Sequence, residues 1–197
     1  GPADDAAPST TPGTKSGTPD DPSTDSTDPF ADLGCPSMRE ADVTVCAHAD
    51  DHPIPITLRP EATTFRVVQG DDGVETLRLT LSNASGRPFG FNPHDWRVDR
   101  HTAEGWTKVA PQEAVEPWTE VPPDGYYEYE LASSHHPSPS DSPHQIVPDL
   151  TSSVHAVSVV GNWGEGADAE RVECVALVDI TVEAEDSWPT TTTVAAE

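Results

Sequence analysis

"VETLRLTLSN", residues 74–83, decides the fold class. Leu77, Leu79 and Leu81 recur at every second position, with Thr76, Arg78 and Thr80 between them. That period puts the leucines on one face of an extended strand and the polar residues on the other. The alternation returns in "YYEYEL" at 126–131, where Tyr127, Tyr129 and Leu131 stand against Glu128 and Glu130. It is longest in "RVECVALVDITVE" at 171–183, which aligns Val172, Cys174, Ala176, Val178, Ile180 and Val182. "ATTFRVV", "DWRVDR", "GWTKVAP" and "SSVHAVSVV" supply shorter strands. No twelve-residue stretch carries a helical stripe, and prolines interrupt most candidates. The pattern predicts an all-β fold, an antiparallel sandwich of seven to nine strands joined by Gly, Pro and Asn turns.

Outside the strands, charge is the strongest signal. Asp and Glu number 35 against 10 Lys and Arg, a formal net charge of −25. Lys15 and Lys108 are the only lysines. Such an excess repels itself in dilute buffer, whereas in molar salt the screening length falls to about 3 Å. The balance resembles that of proteins from salt-loving archaea; an acidic protein that binds cations or a basic partner is the alternative. Nucleic-acid binding is disfavoured, because phosphates require a basic patch. No run is long and apolar enough for a transmembrane segment.

Composition also divides the chain. Gly1-Pro2 reads as the scar of a cleaved tag. The rest of residues 1–34 is rich in Pro, Ser, Thr and Asp, with only Phe30 and Leu33 as sizeable apolar residues. Such a stretch is expected to be a disordered tether, and a lipid anchor upstream of it would suit an exported protein. The folded part is expected over 35–186, and 187–197, with Thr190–Thr193, as a flexible tail or glycosylated stalk.

"LRLTLSNASGRPFGFNPHDWRVDRHTAEGWTKV" followed by "EPWTEVPPDGYYEYEL" resembles the immunoglobulin-like domains of exported haloarchaeal and Gram-positive surface proteins and lipoproteins. The features that carry the likeness fall at Asn83, Ser85, Pro88, Gly105, Trp106, Pro123, Gly125 and Tyr127. The layout is also similar to the Bacillus intracellular proteinase inhibitor, another small β-sandwich. The resemblance spans roughly residues 60–131 and implies a fold, not an activity.

Within that span, Asn83 and Gly86 suit a strand-to-strand turn, Asn92-Pro93 a second turn, and His94 and Asp95 its rim. Asn83-Ala84-Ser85 is also a glycosylation sequon. Cys35 and Cys46 flank ten residues, a spacing that suits a disulfide contributing on the order of 3 kcal/mol by the chain-entropy argument. With no CxxC present, zinc is the weaker reading, and the disulfide points to an extracellular setting. Cys174, on the apolar side of its strand, is expected to be a buried free thiol.

Two polar stretches could take metal. "SSHHPSPSDSPH" carries His135, His136 and His144, a loop that could hold copper or zinc. "GNWGEGADAE" carries Glu165, Asp168 and Glu170, an unspecific calcium candidate that departs from the EF-hand pattern. No nucleophile elbow, HExxH, Walker or Rossmann fingerprint occurs, so no catalytic residue is assigned and no enzyme is expected. The function expected is recognition of a protein or glycan at the cell surface. Its contact residues are Trp118 and Glu116, and then Phe89, Phe91 and His94. The alternative is inhibition of an extracellular protease through the segment 111–123 or 86–95. Exposure of Trp118 at a loop tip would favour a binding role; burial would return it to the core.

Overall fold

The computed structural model describes residues 29–49, 53–69, 73–111, 117–137 and 143–184. Eleven strands are present among them: β1 (Val43–Cys46), β2 (Ile56–Pro60), β3 (Thr64–Gln69), β4 (Thr76–Asn83), β5 (Phe89–Thr102) and β6 (Gly105–Pro111), then β7 (Thr119–Val121), β8 (Tyr126–Ala132), β9 (His144–Ile146), β10 (Ser153–Trp163) and β11 (Glu170–Ala184). The fold is all-β, with two mixed sheets facing each other across one core. The larger runs β1-β11-β10-β5-β6, with β3 also on β11 and β7 also on β5; the smaller runs β2-β4-β8-β9.

This departs from an all-antiparallel sandwich of seven to nine strands in its strand count, which is eleven among the described residues, and in its pairing. Three pairings are parallel: β1 with β11, β3 with β11, and β8 with β9. In addition, β11 is long enough to take β1 beside Val172–Val175 and β3 beside Asp179–Ala184. On the other side of the sheet, β5 likewise takes both β6 and β7. Three-residue strands such as β7 and β9 are too short to register as a period.

The core is built from the alternation. Leu77, Leu79 and Leu81 of β4 and Tyr129 and Leu131 of β8 are all buried at 4% exposure or less, opposite Val172, Cys174, Ala176, Val178 and Ile180 of β11. The β11 sequence is almost continuously apolar because its other face is covered too. Val175 and Leu177 point there, packing with Ala156, Cys46 and Phe30 in a second cluster. Phe30 is 1% exposed, so the fold begins before Cys35 and takes in part of the expected tether. The remainder of that tether and residues 185–197 lie outside the described residues.

The chain from Phe30 to Arg39 thus forms a strap over the outer face of the larger sheet. A disulfide between Cys35 and Cys46, with Cα atoms 5.5 Å apart, ties it to the end of β1. Polar contacts hold its far end. Glu173, wholly buried, accepts from the Met38 backbone N–H at 3.1 Å and from Ser37 Oγ at 3.3 Å. Burial raises the Glu173 carboxyl above its ordinary range, while these hydrogen bonds pull it back. Arg97 donates to the Met38 carbonyl at 2.7 Å and grips the buried Asp99 carboxylate through two nitrogens, at 2.7 and 2.5 Å. Arg39 pairs with Asp95 at 2.6 Å.

Asn92-Pro93 does not end a strand. It lies inside β5, where the register against β10 shifts between Val159, opposite Trp96, and Gly161, opposite Phe91. Four residues of β5, Asn92 to Asp95, face the single residue Val160, a bulge. The Asn92 side chain accepts the His94 backbone N–H at 2.9 Å, so the turn chemistry is local and the strand resumes beyond it.

Candidate functional site

The contact residues expected at 89–94 separate from Trp118. Phe89 and Phe91 are fully buried, their rings stacked with centroids 5.7 Å apart, and Phe91 meets the Tyr127 ring edge-on at 5.2 Å. They alternate inward from β5 and are core, not contact surface. Glu116 lies outside the described residues. Trp118, in contrast, is 62% exposed.

Its position follows from Gly90. β7 pairs with β5 so that Val121 faces Phe89 and Thr119 faces Phe91, leaving Gly90 opposite Glu120 with its missing side chain directed outward. Trp118 precedes β7, and its indole lies over that gap. A Cβ at Gly90 would sit 2.7–2.9 Å from Cζ2, Cε2 and Nε1 of the ring. The glycine supplies space for the ring. Asn162 of β10 flanks Gly90 on the other side. One side of the indole therefore rests on a paired strand, and most of the residue is open to solvent.

A second exposed aromatic, Tyr126 at 68%, was hidden in the "YYEYEL" pattern because its alternate, Glu128, shares the outer face of β8. It borders a shallow groove of about 410 Å³ with Thr80, Ser82, Asp124 and Glu128.

Asn83 is 1% exposed. Its amide nitrogen shares hydrogens with the carbonyls of Arg87, Val121 and Pro122 at 2.8, 3.0 and 3.2 Å. Its oxygen accepts from the Ser85 N–H at 3.1 Å and the Ser85 hydroxyl at 2.6 Å. Ser85 Oγ in turn receives the Trp163 indole N–H at 2.8 Å. The sequon is thus a buried clasp between the β4–β5 crossing and the β7–β8 turn, and a glycan on that nitrogen would break it. Asn83→Ala is expected to cost about 3 kcal/mol, since several buried groups lose partners worth about 1–3 kcal/mol each. Urea denaturation would measure this; a loss below about 1 kcal/mol would contradict the clasp.

The three histidines of the expected metal loop do not meet. His135 is exposed, and His136 Nε2 bonds Glu130 Oε1 at 2.7 Å. His144, on β9, turns instead toward His94, with ring centroids 4.3 Å apart at 88°, and toward Tyr129 at 5.8 Å. Burial, and then the neighbouring His94, lower the His144 pKa. Glu165, Asp168 and Glu170 are exposed around the short turn Gly166–Asp168. Among the described residues, no group of three or more His, Cys, Asp or Glu is placed to hold a metal ion, and no helix is long and apolar enough to cross a membrane. Cys174 is buried, its thiol directed at the Ile56 carbonyl at 3.9 Å, and burial pushes its pKa far up, so it stays protonated.

No protein-family model matches the chain, and no curated protein matches it significantly. Among solved structures, the chain is similar to the Northeast Structural Genomics Consortium target SoR45 at 12% identity and a TM-score of 0.38, over 73% of this chain and 94% of that one. It is similar at 12% identity and a TM-score of 0.28 to the Pseudomonas fluorescens alkylpurine DNA glycosylase AlkC bound to DNA containing an abasic site analogue, over 64% of this chain and 31% of that one. Both likenesses are too slight to carry any argument.

Proposed function

We propose that the chain is a non-catalytic recognition module, an immunoglobulin-like domain of a salt-adapted protein acting at the cell surface or outside the cell. Its partner is a protein or glycan that docks on Trp118. The observation that carries this reading is the indole itself: largely exposed, yet seated on Gly90 at the edge of a paired strand. An aromatic already packed on one side has less conformational freedom to lose on contact, and large aromatics are frequent energetic centres of interfaces.

Capture of envelope proteins and glycans at molar potassium chloride, with wild type beside Trp118→Ala, tests the reading. The variant is expected to lose capture while its stability changes by no more than about 0.5 kcal/mol, as for other surface substitutions. Equal capture by both proteins, or a large loss of stability, would overturn it.

Salt adaptation is separately testable. With a net charge of −25, the melting temperature is expected to rise between dilute buffer and molar potassium chloride. The expected gain is at least about 3 °C, the shift that about 1 kcal/mol produces in a domain of this size. A flat profile would remove the basis for the salt-adapted reading.

A further inference from the structure

The region where the two sheets meet beside β9 carries a cluster that the recognition reading does not use. His144 enters from β9, in register with Tyr129 of β8; His94 enters from the bulge of β5 on the opposite sheet. The two imidazoles are thus 50 residues apart in sequence and belong to different sheets, yet lie with centroids 4.3 Å apart at 88°. Both are half-buried. Tyr129 packs against His144, and its buried hydroxyl has no hydrogen-bond partner among the described residues.

We infer that His94 and His144 form a two-histidine site for a divalent transition metal of the copper(II) type, bridging the two sheets. The separation of the rings is within reach of one shared metal ion. With metal–nitrogen bonds of about 2.0 Å, two imidazoles on one metal have centroids about 4.5 Å apart at a right angle and about 5.2 Å apart at a tetrahedral angle. The observed 4.3 Å lies close to these spacings, and of the divalent first-row metals copper(II) binds imidazole donors most tightly.

Asp95, which follows His94, has its carboxylate paired with Arg39 and is not counted among the ligands. The bulge is pinned by the Asn92 side chain on the His94 N–H, which fixes the backbone from which His94 projects. The protein supplies two ligands; water, or a group from a docked partner, completes the coordination. His136 is engaged by Glu130 and takes no part in the site.

The test uses the full chain and copper(II) alone, in molar salt to screen the surface carboxylates. Calorimetric titration is expected to show one tight equivalent, and the electron paramagnetic resonance spectrum a tetragonal signal split by two nitrogens. His94→Gln and His144→Gln, each checked for an unchanged melting curve without metal, are expected to weaken binding at least tenfold. A double His135→Gln/His136→Gln variant is expected to bind as wild type. Three results would overturn the inference: no saturable equivalent, unchanged binding in the His94 and His144 variants, or loss confined to the His135/His136 variant. The first two would leave the pair as an edge-to-face aromatic contact, and the third would move the metal to the loop.

Discussion

Phe91→Ala is expected to lower the free energy of unfolding by about 3–5 kcal/mol, the usual cost of removing a buried phenylalanine ring. The Phe91 ring is wholly buried between Phe89 and Tyr127, so its deletion opens a void lined by residues of both sheets. The cavity has little room to collapse. Behind it, Gly161 of β10 stands opposite Phe91, and a Cβ there would come within 2.4 Å of Phe89 Cζ and 2.6 Å of the Gly90 carbonyl oxygen. The strands already touch backbone to ring at that point. Chemical denaturation would give the loss directly, and a loss under about 1 kcal/mol would mean that the ring is not core. Set beside the near-neutral Trp118→Ala, the two aromatics, which lie on opposite sides of one strand pair, would differ by several kcal/mol.

Arg97→Ala is the second large effect, expected at about 3 kcal/mol. Asp99 is wholly buried, and Arg97 is its charge partner through two nitrogens. Removing the guanidinium leaves an uncompensated carboxylate in the outer-face cluster and frees the Met38 carbonyl, which Arg97 also holds. Breaking a buried pair from one side typically costs about 3–5 kcal/mol. The low end is expected here because Arg97 is 27% exposed, which lets water reach part of the vacated space. The double variant Arg97→Met/Asp99→Val removes both charges and is expected to lose less than the single one. If the single variant proved the milder of the two, the stranded charge would not be the cause. In either variant the strap should open first, visible as faster amide exchange at Met38 than in wild type.

Several features were legible in the residues themselves. The leucines of β4, the inward set on β11 and the tyrosines of β8 lie where their alternation predicts, because a period of two follows from strand geometry alone. The spacing of Cys35 and Cys46 permitted the bond the structure contains. The site was less legible. Phe89 and Phe91 read as exposed because Asn92-Pro93 read as the end of a strand; in the fold it is a bulge, and the residues before it stay in register with β10 and face the core. Asn83 read as a glycan acceptor because a tripeptide carries no information about burial. The signal for the Trp118 seat was present in Gly90, a glycine inside a strand, which marks close approach by another group.

The sequence by itself therefore determined that the chain is β, which side chains of most strands face inward, and that the protein carries a large carboxylate excess. These properties depend on neighbours one or two residues away, or on composition. Only the tertiary structure decided that two sheets are mixed, that β11 carries two parallel partners on one edge, and that the strap from Phe30 closes the outer face. It alone brought His94 to His144 and Trp118 onto Gly90. Each of those contacts joins strands or segments whose pairing is set by how the whole apolar surface is buried at once, and no local window of sequence contains that information.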